Sequence, residues 1–127
     1  DSSFFFSRCE FEYGFNDLGQ FVNGGFIYDL FDDCNTVGIG EMLGPRTGAM
    51  DINNVGQVVG WSHNPSGARD PFIYSEGVLR NLGYTSRSRG KIYATAINEY
   101  GTVVGWSDVY QNEEYSRMPV MWVPEDK

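Results

Sequence analysis

The chain has 127 residues, 41% of them hydrophobic and 16% aromatic, enough to fold as one domain around its own core and too much for a disordered segment. Its formal net charge of −8 opposes polyanionic partners, which argues against nucleic acid and anionic lipid. No stretch approaches the roughly 20 apolar residues of a transmembrane helix, so membrane insertion is not expected.

From Arg8 to Phe15 polar and apolar residues alternate, with Cys9, Phe11, Tyr13 and Phe15 on one side and Arg8, Glu10 and Glu12 on the other. That period of two predicts a half-buried strand with the Cys9 sulfur on its apolar side. Cys9 and Cys34 are the two cysteines of the chain, so a single disulfide has one connectivity; two buried thiols are the alternative. No Cys-x-x-Cys pair is present, and one histidine does not complete a zinc site with them.

Asn16-Asp17-Leu18-Gly19 then reads as a tight turn. Asparagine in first place bonds the backbone two residues on, and glycine in last place takes positive φ without a Cβ penalty. Phe26-Ile27-Tyr28 follows as a strand. Asp29, Asp32, Asp33 and Asn35 make an acidic loop, read as a solvated turn with an extracellular calcium site as the weaker alternative.

The stretch Asp51-Ile52-Asn53-Asn54-Val55-Gly56-Gln57-Val58-Val59-Gly60-Trp61-Ser62 returns 45 residues later as Ala96-Ile97-Asn98-Glu99-Tyr100-Gly101-Thr102-Val103-Val104-Gly105-Trp106-Ser107. Phe15 to Val22 is a degraded copy, 37 residues before Ile52 to Val59. The match extends to Pro71-Phe72-Ile73-Tyr74 and Pro119-Val120-Met121-Trp122, and Leu43-Gly44 corresponds to Leu82-Gly83. Periods of this size signal blades, solenoids or arrays. Asn53 with Gly56, and Asn98 with Gly101, repeat the turn of Asn16 with Gly19, so each copy is strand, turn, strand. Gly60 and Gly105 sit at the same place in the second strand, where a glycine implies a close backbone neighbour. A further strand, a turn at Glu76-Gly77 and a strand from Val78 to Leu82 complete four short antiparallel strands per unit. No capped 3.6-residue periodicity predicts a helix.

The unit carried by Ala49, Ile52, Asn53, Gly56, Val58, Val59, Gly60, Ser62, Phe72, Ile73, Tyr74, Leu82 and Gly83 resembles the HAF repeat of bacterial extracellular proteins. Ala94, Ile97, Asn98, Gly101, Val103, Val104, Gly105 and Ser107 carry it in the next copy; in the first, Asn23-Gly24 replaces Gly-x-Ser. The resemblance covers about residues 15–122 and implies an all-β chain of tandem four-stranded antiparallel, propeller-like blades. It also implies a place outside the cell: extracellular, periplasmic or on the bacterial surface. The expected organisation is a single β-repeat domain over 1–127, with units at about 9–46, 47–91 and 92–127. Propellers typically have about 4–8 blades. Three units therefore imply a piece of a longer array, a ring closed by self-association, or a last sheet completed by the N-terminal strand; the short last unit favours the first.

Every repeated residue has a turn, glycine or core role, which points to a non-catalytic module serving as scaffold or protein-interaction surface. The alternative is a carbohydrate-binding module that stacks sugars on Trp61, Trp106, Tyr74 and Trp122, although large aromatics also pack between blades. Partners are then a protein or glycan, further repeats, or a second copy. A hydrolase is the weakest reading: His63 is the one histidine, it lies in loop composition, and neither a nucleophile elbow nor a phosphate loop is present. The basic run from Arg87 to Lys91 reads as a solvated loop. Asp51-x-Asn53-x-x-Gly56 is explained by the turn without calcium, because the second copy has Ala96 in place of Asp51. No metal or cofactor is expected.

Overall fold

The computed structural model describes residues 13–39, 47–63, 68–83 and 88–125. Its strands are β1 (Tyr13–Phe15), β2 (Gln20–Asn23), β3 (Phe26–Asp29), β4 (Asn35–Gly38), β5 (Thr47–Ile52), β6 (Val58–His63), β7 (Arg69–Ser75), β8 (Val78–Asn81), β9 (Ser88–Ile97), β10 (Val103–Gln111) and β11 (Glu114–Trp122). A single 3-10 turn, Leu30–Asp32, is the one helical element among the described residues. No described helix is long and apolar enough to cross a membrane.

The strands β1-β2-β3-β4 form one antiparallel sheet. The others form a seven-stranded sheet, in which β7 meets β9 through one parallel pairing, Arg69 with Lys91. Divided at that bridge, the larger sheet separates into β5–β8 and β9–β11. Those two and the first sheet are the three repeated units, the last having three described strands. The propeller expectation is thereby narrowed. The chain is all-β, but no sheet closes on itself and no propeller forms among the described residues. β9 begins at Ser88, ahead of the expected boundary at 91/92, and runs beside the start of β7. The last two units therefore share a corner.

The turns form as their residues require. Gly19, Gly56 and Gly101 have φ of 76°, 89° and 87°, the left-handed region that a Cβ disfavours. The Oδ1 of Asn16, Asn53 and Asn98 accepts from the N–H two residues on and from the N–H four residues on, at 2.9–3.2 Å. Behind each turn the pairing slips by one residue: Ala49 pairs with Gly60 and Asp51 with Val59, leaving Met50 bulged. Thr95 is bulged in the same way opposite Val104 and Gly105. This bulge explains the second repeated glycine. A Cβ on Gly60 would lie 2.1 Å from Gly48 O, and one on Gly105 would lie 1.8 Å from Tyr93 O. The close neighbour is the preceding strand of the same sheet.

The first strand departs from its alternation. The register of β1 shifts between Tyr13 and Phe15, and Gly14 takes φ of 46°. Phe15 is exposed rather than half-buried, because among the described residues no unit packs on it, whereas Ile52 and Ile97, which follow the same slip, are buried against the unit before them. Residues 8–12, including Cys9, lie outside the described residues. Cys34 is disulfide-bonded, and Cys9 is the chain's other cysteine.

The core consists of two inter-unit layers. The first packs Val22 and Ile39 of unit one against Ala49, Ile52, Val58 and Phe72 of unit two. The second packs Val59 of unit two against Ala94, Ile97 and Val103 of unit three, with Ile73, Leu82 and Trp122 at its margin. Each valine, isoleucine or phenylalanine among them contributes about 1.5–3 kcal/mol when fully buried. One small sheet has no other way to cover both apolar faces.

Candidate functional site

Two constellations stand out from this packing: a ladder of turn amides along one edge, and an aromatic–guanidinium row along one sheet face.

The ladder begins with the turn asparagines. Their orientation is fixed chemically, because Oδ1 faces two backbone N–H donors and Nδ2 must therefore point away. Asn16 Nδ2 donates to Asn53 O at 2.9 Å, 37 residues along, and to Gln20 Oε1 at 2.8 Å. Asn53 Nδ2 donates to Asn98 O at 2.9 Å, 45 residues along, and to Gln57 Oε1 at 2.7 Å. The repeat period is thus a hydrogen-bond vector. Neighbouring rungs run beside it. Asp17 N donates to Asn54 Oδ1 at 2.6 Å, Asn54 Nδ2 to Asp17 Oδ2 at 2.8 Å, and Asn54 N to Glu99 Oε1 at 2.9 Å. Asp51 Oδ2 accepts from Ile97 N at 2.9 Å, which gives that residue a structural role between units two and three. Among the described residues the ladder stops at Asn98, whose Nδ2 makes no hydrogen bond to them and whose neighbour Thr102 replaces the glutamine. Asn98 is exposed, whereas Asn16 and Asn53 are buried.

The second constellation joins both repeated tryptophans. Trp106 on the central strand β10 is stacked on Tyr93 of β9, with centroids 4.0 Å apart, and Arg117 of β11 lies 3.9 Å over its ring. In unit two, Arg69 lies 4.4 Å over Trp61, donates through Nε to His63 Nε2 at 3.0 Å and through Nη1 to the Tyr93 hydroxyl. Tyr93 meets Trp61 edge-on at 5.8 Å and so links the two tryptophans. Arg69 and Arg117 are equivalent, each two residues before the matched prolines Pro71 and Pro119. Their partners are equivalent too: His63 in one unit, and in the other Asp108, whose Oδ1 lies 3.8 Å from Arg117 Nε. Tyr93 stands where unit two has Gly48, against which the Trp61 ring lies. An open cavity of about 520 Å³ beside the row is lined by Lys91, Asp108, Tyr115, Ser116 and Arg117.

The structure therefore groups Trp61 with Trp106 and separates them from the other two aromatics of the sugar-stacking reading. Tyr74 packs on the first core layer. Trp122 packs on the second and donates through Nε1 to Gly83 O at 3.0 Å. The broad faces of Trp61 and Trp106 already meet Gly48, Arg69, Tyr93 and Arg117. Arg69, Tyr93 and Arg117 were not singled out by the repeat. The signal for the arginines was their fixed distance from the prolines, masked by a loop that differs by three residues between copies.

The acidic loop is ordered by its own backbone: Asp29 Oδ1 accepts from Phe31 N at 3.0 Å, and Asn35 Nδ2 approaches Asp32 Oδ2 at 3.5 Å. Among the described residues no three His, Cys, Asp or Glu side chains converge to hold a metal ion. No family model, curated protein or solved structure matches the chain.

Proposed function

We propose that this chain is a non-catalytic β-repeat module of the propeller-like kind, acting outside the cell as a scaffold whose last sheet presents a protein-interaction face. One observation carries the reading. Val22, Val59 and Val104 are equivalent; the first two are fully buried by the following unit, and Val104 is 41% exposed. Met121, the counterpart of the packed Ile27 and Ile73, pairs across from Val104 and is 63% exposed. A face designed for covering lies open beside Trp106 and Pro119. The HAF resemblance supports the extracellular setting, and the Nε2 of the one histidine is engaged by Arg69, which weighs against a hydrolytic role for it.

The test is a selection of displayed peptides on immobilised chain, repeated with Val104→Asp and Met121→Asp. Binders that enrich on the wild type and are lost on both variants support the reading. Enrichment indifferent to both, or none at all, overturns it.

The carbohydrate reading keeps one supporting observation: Trp61, Tyr93 and Trp106 line a single surface with Arg69 and Arg117. A glycan array that lights up with the wild type and goes dark with folded Trp106→Ala would favour it.

A further inference from the structure

We infer that the edge of the array formed by the repeated turns is a docking surface for a basic, amphipathic segment of another protein. This edge lies apart from the open face of the last sheet and does not depend on it.

The first observation is an apolar row that the fold does not use. The third residue of each repeated turn is apolar: Leu18, Val55 and Tyr100. They are 57%, 68% and 88% exposed, and none joins either core layer. Val55 shows that this is no effect of position in the array, because unit two has a unit on each side. Turn chemistry does not call for these side chains. The first asparagine and last glycine satisfy the turn, and exposed turn positions favour small polar residues. One exposed apolar residue is ordinary, but three equivalent ones in a row mark a contact surface. Unit one extends the row with Phe31, also exposed, whose ring lies against Gly19.

The second is that the row is held in place. The N–H groups of Leu18, Val55 and Tyr100 each donate to the Oδ1 of their own turn asparagine at 3.0–3.2 Å. The residues just before them, Asp17, Asn54 and Glu99, carry the rungs that join one turn to the next. The apolar side chains therefore project from backbone fixed by the ladder that ties the units together. A partner meets them with little ordering cost on this side.

The third is charge, which selects the partner. The strand registers bring the β3–β4 and β7–β8 connections to the same end as the repeated turns: Gln20 pairs with Asp29, and Val58 with Tyr74. That end carries Asp17, Asp32, Asp33, Glu76 and Glu99, all exposed, and among the described residues no lysine or arginine lies in its turns. Arg69, Lys91 and Arg117 sit toward the opposite end, Arg69 across from His63 and Lys91, and Arg117 across from Asp108. Apolar residues set among carboxylates fit a partner that interleaves apolar and cationic side chains. They oppose an acidic partner or an anionic lipid surface.

Fluorescence anisotropy tests this with short labelled peptides of alternating lysine and leucine, lysine and serine, and glutamate and leucine. The lysine–leucine peptide should bind the wild type at least about tenfold more tightly than either of the others, and more weakly as salt is added. The triple variant Leu18→Ser, Val55→Ser, Tyr100→Ser keeps the net charge and should lose at least about tenfold in affinity. Asp33→Asn with Glu76→Gln should weaken binding at low salt, and Val104→Ser with Met121→Ser should leave it unchanged. All these side chains are exposed, so the folds should persist, and circular dichroism checks that. Amide chemical shifts of the wild type need no variant: the peptide should move Leu18, Val55 and Tyr100 and leave Val104 and Met121 in place. Four results overturn the proposal: a lysine–leucine peptide that binds no better than lysine–serine, affinity unchanged in the triple serine variant, affinity at low salt indifferent to Asp33→Asn with Glu76→Gln, or shifts centred on Val104 and Met121.

Discussion

Replacing asparagine by aspartate at two equivalent turn positions separates the inter-unit ladder from the turn it is built on. Aspartate keeps an oxygen where Oδ1 stands, so the bonds from Val55 N and Gln57 N survive in Asn53→Asp, and those from Tyr100 N and Thr102 N survive in Asn98→Asp. The amide donor is lost. At residue 98 it has no partner among the described residues, and the substitution should cost at most about 0.5 kcal/mol, as exposed changes do. At residue 53 the donor makes bonds of 2.9 Å to Asn98 O and 2.7 Å to Gln57 Oε1, from a side chain that is 2% exposed. Two such bonds are worth about 1 kcal/mol each, and a carboxylate oxygen facing a carbonyl adds at least about 1 more. The expected loss is therefore about 3 kcal/mol, roughly 10 °C in Tm for a chain of this size. Urea unfolding of both variants at neutral pH reads it. Equal losses at the two positions, or less than about 1 kcal/mol at residue 53, would mean that the ladder does not join the units.

Other expectations follow from the same geometry. Gly60→Ala and Gly105→Ala should each destabilise by about 1–3 kcal/mol, because the new Cβ meets backbone that cannot move aside; thermal melts check both. Gly56→Val should cost a similar amount for a different reason, since no atom lies within 4 Å of its Cβ and only the positive φ resists it. Gly56→Asn, which tolerates that φ, should recover much of the loss. Reduction of the Cys34 disulfide should lower stability by about 3 kcal/mol, measured as a shift in urea midpoint with and without reductant.

What the sequence made legible is what depends on neighbours along the chain. Asn53 with Gly56 specifies a turn because one side chain and one φ decide it, and all three copies fold as that rule requires. Gly60 announced a close approach because no other property of glycine suits a strand interior. What stayed hidden depends on neighbours in space. Asn53 looks like a local turn residue until Asn98 O is placed 2.9 Å away, and its second bonding direction has no signature in the chain. Phe15 followed an alternation that says nothing of what packs against it: Ile52 and Ile97, at the same place after the same slip, are buried by the unit before them. Arg69 and Arg117 lay beyond loops of unequal length, and the bridge from Arg69 to Lys91 depends on where β9 happens to start. The aromatic row could be half anticipated, since Trp61 and Trp106 are equivalent, but Tyr93, which joins them, has Gly48 as its counterpart and so fell outside the repeat.

The claim under all of this is that each unit is stabilised by the next one covering its trailing face. Paired substitution of equivalent valines tests it most directly. Val59→Asp places a carboxylate in a layer with no solvent access, whereas Val104→Asp places the same group on the open face. Equilibrium unfolding should show Val59→Asp losing at least about 4 kcal/mol or failing to fold, and Val104→Asp within about 0.5 kcal/mol of the wild type at low concentration. Comparable effects at the two positions would contradict the account.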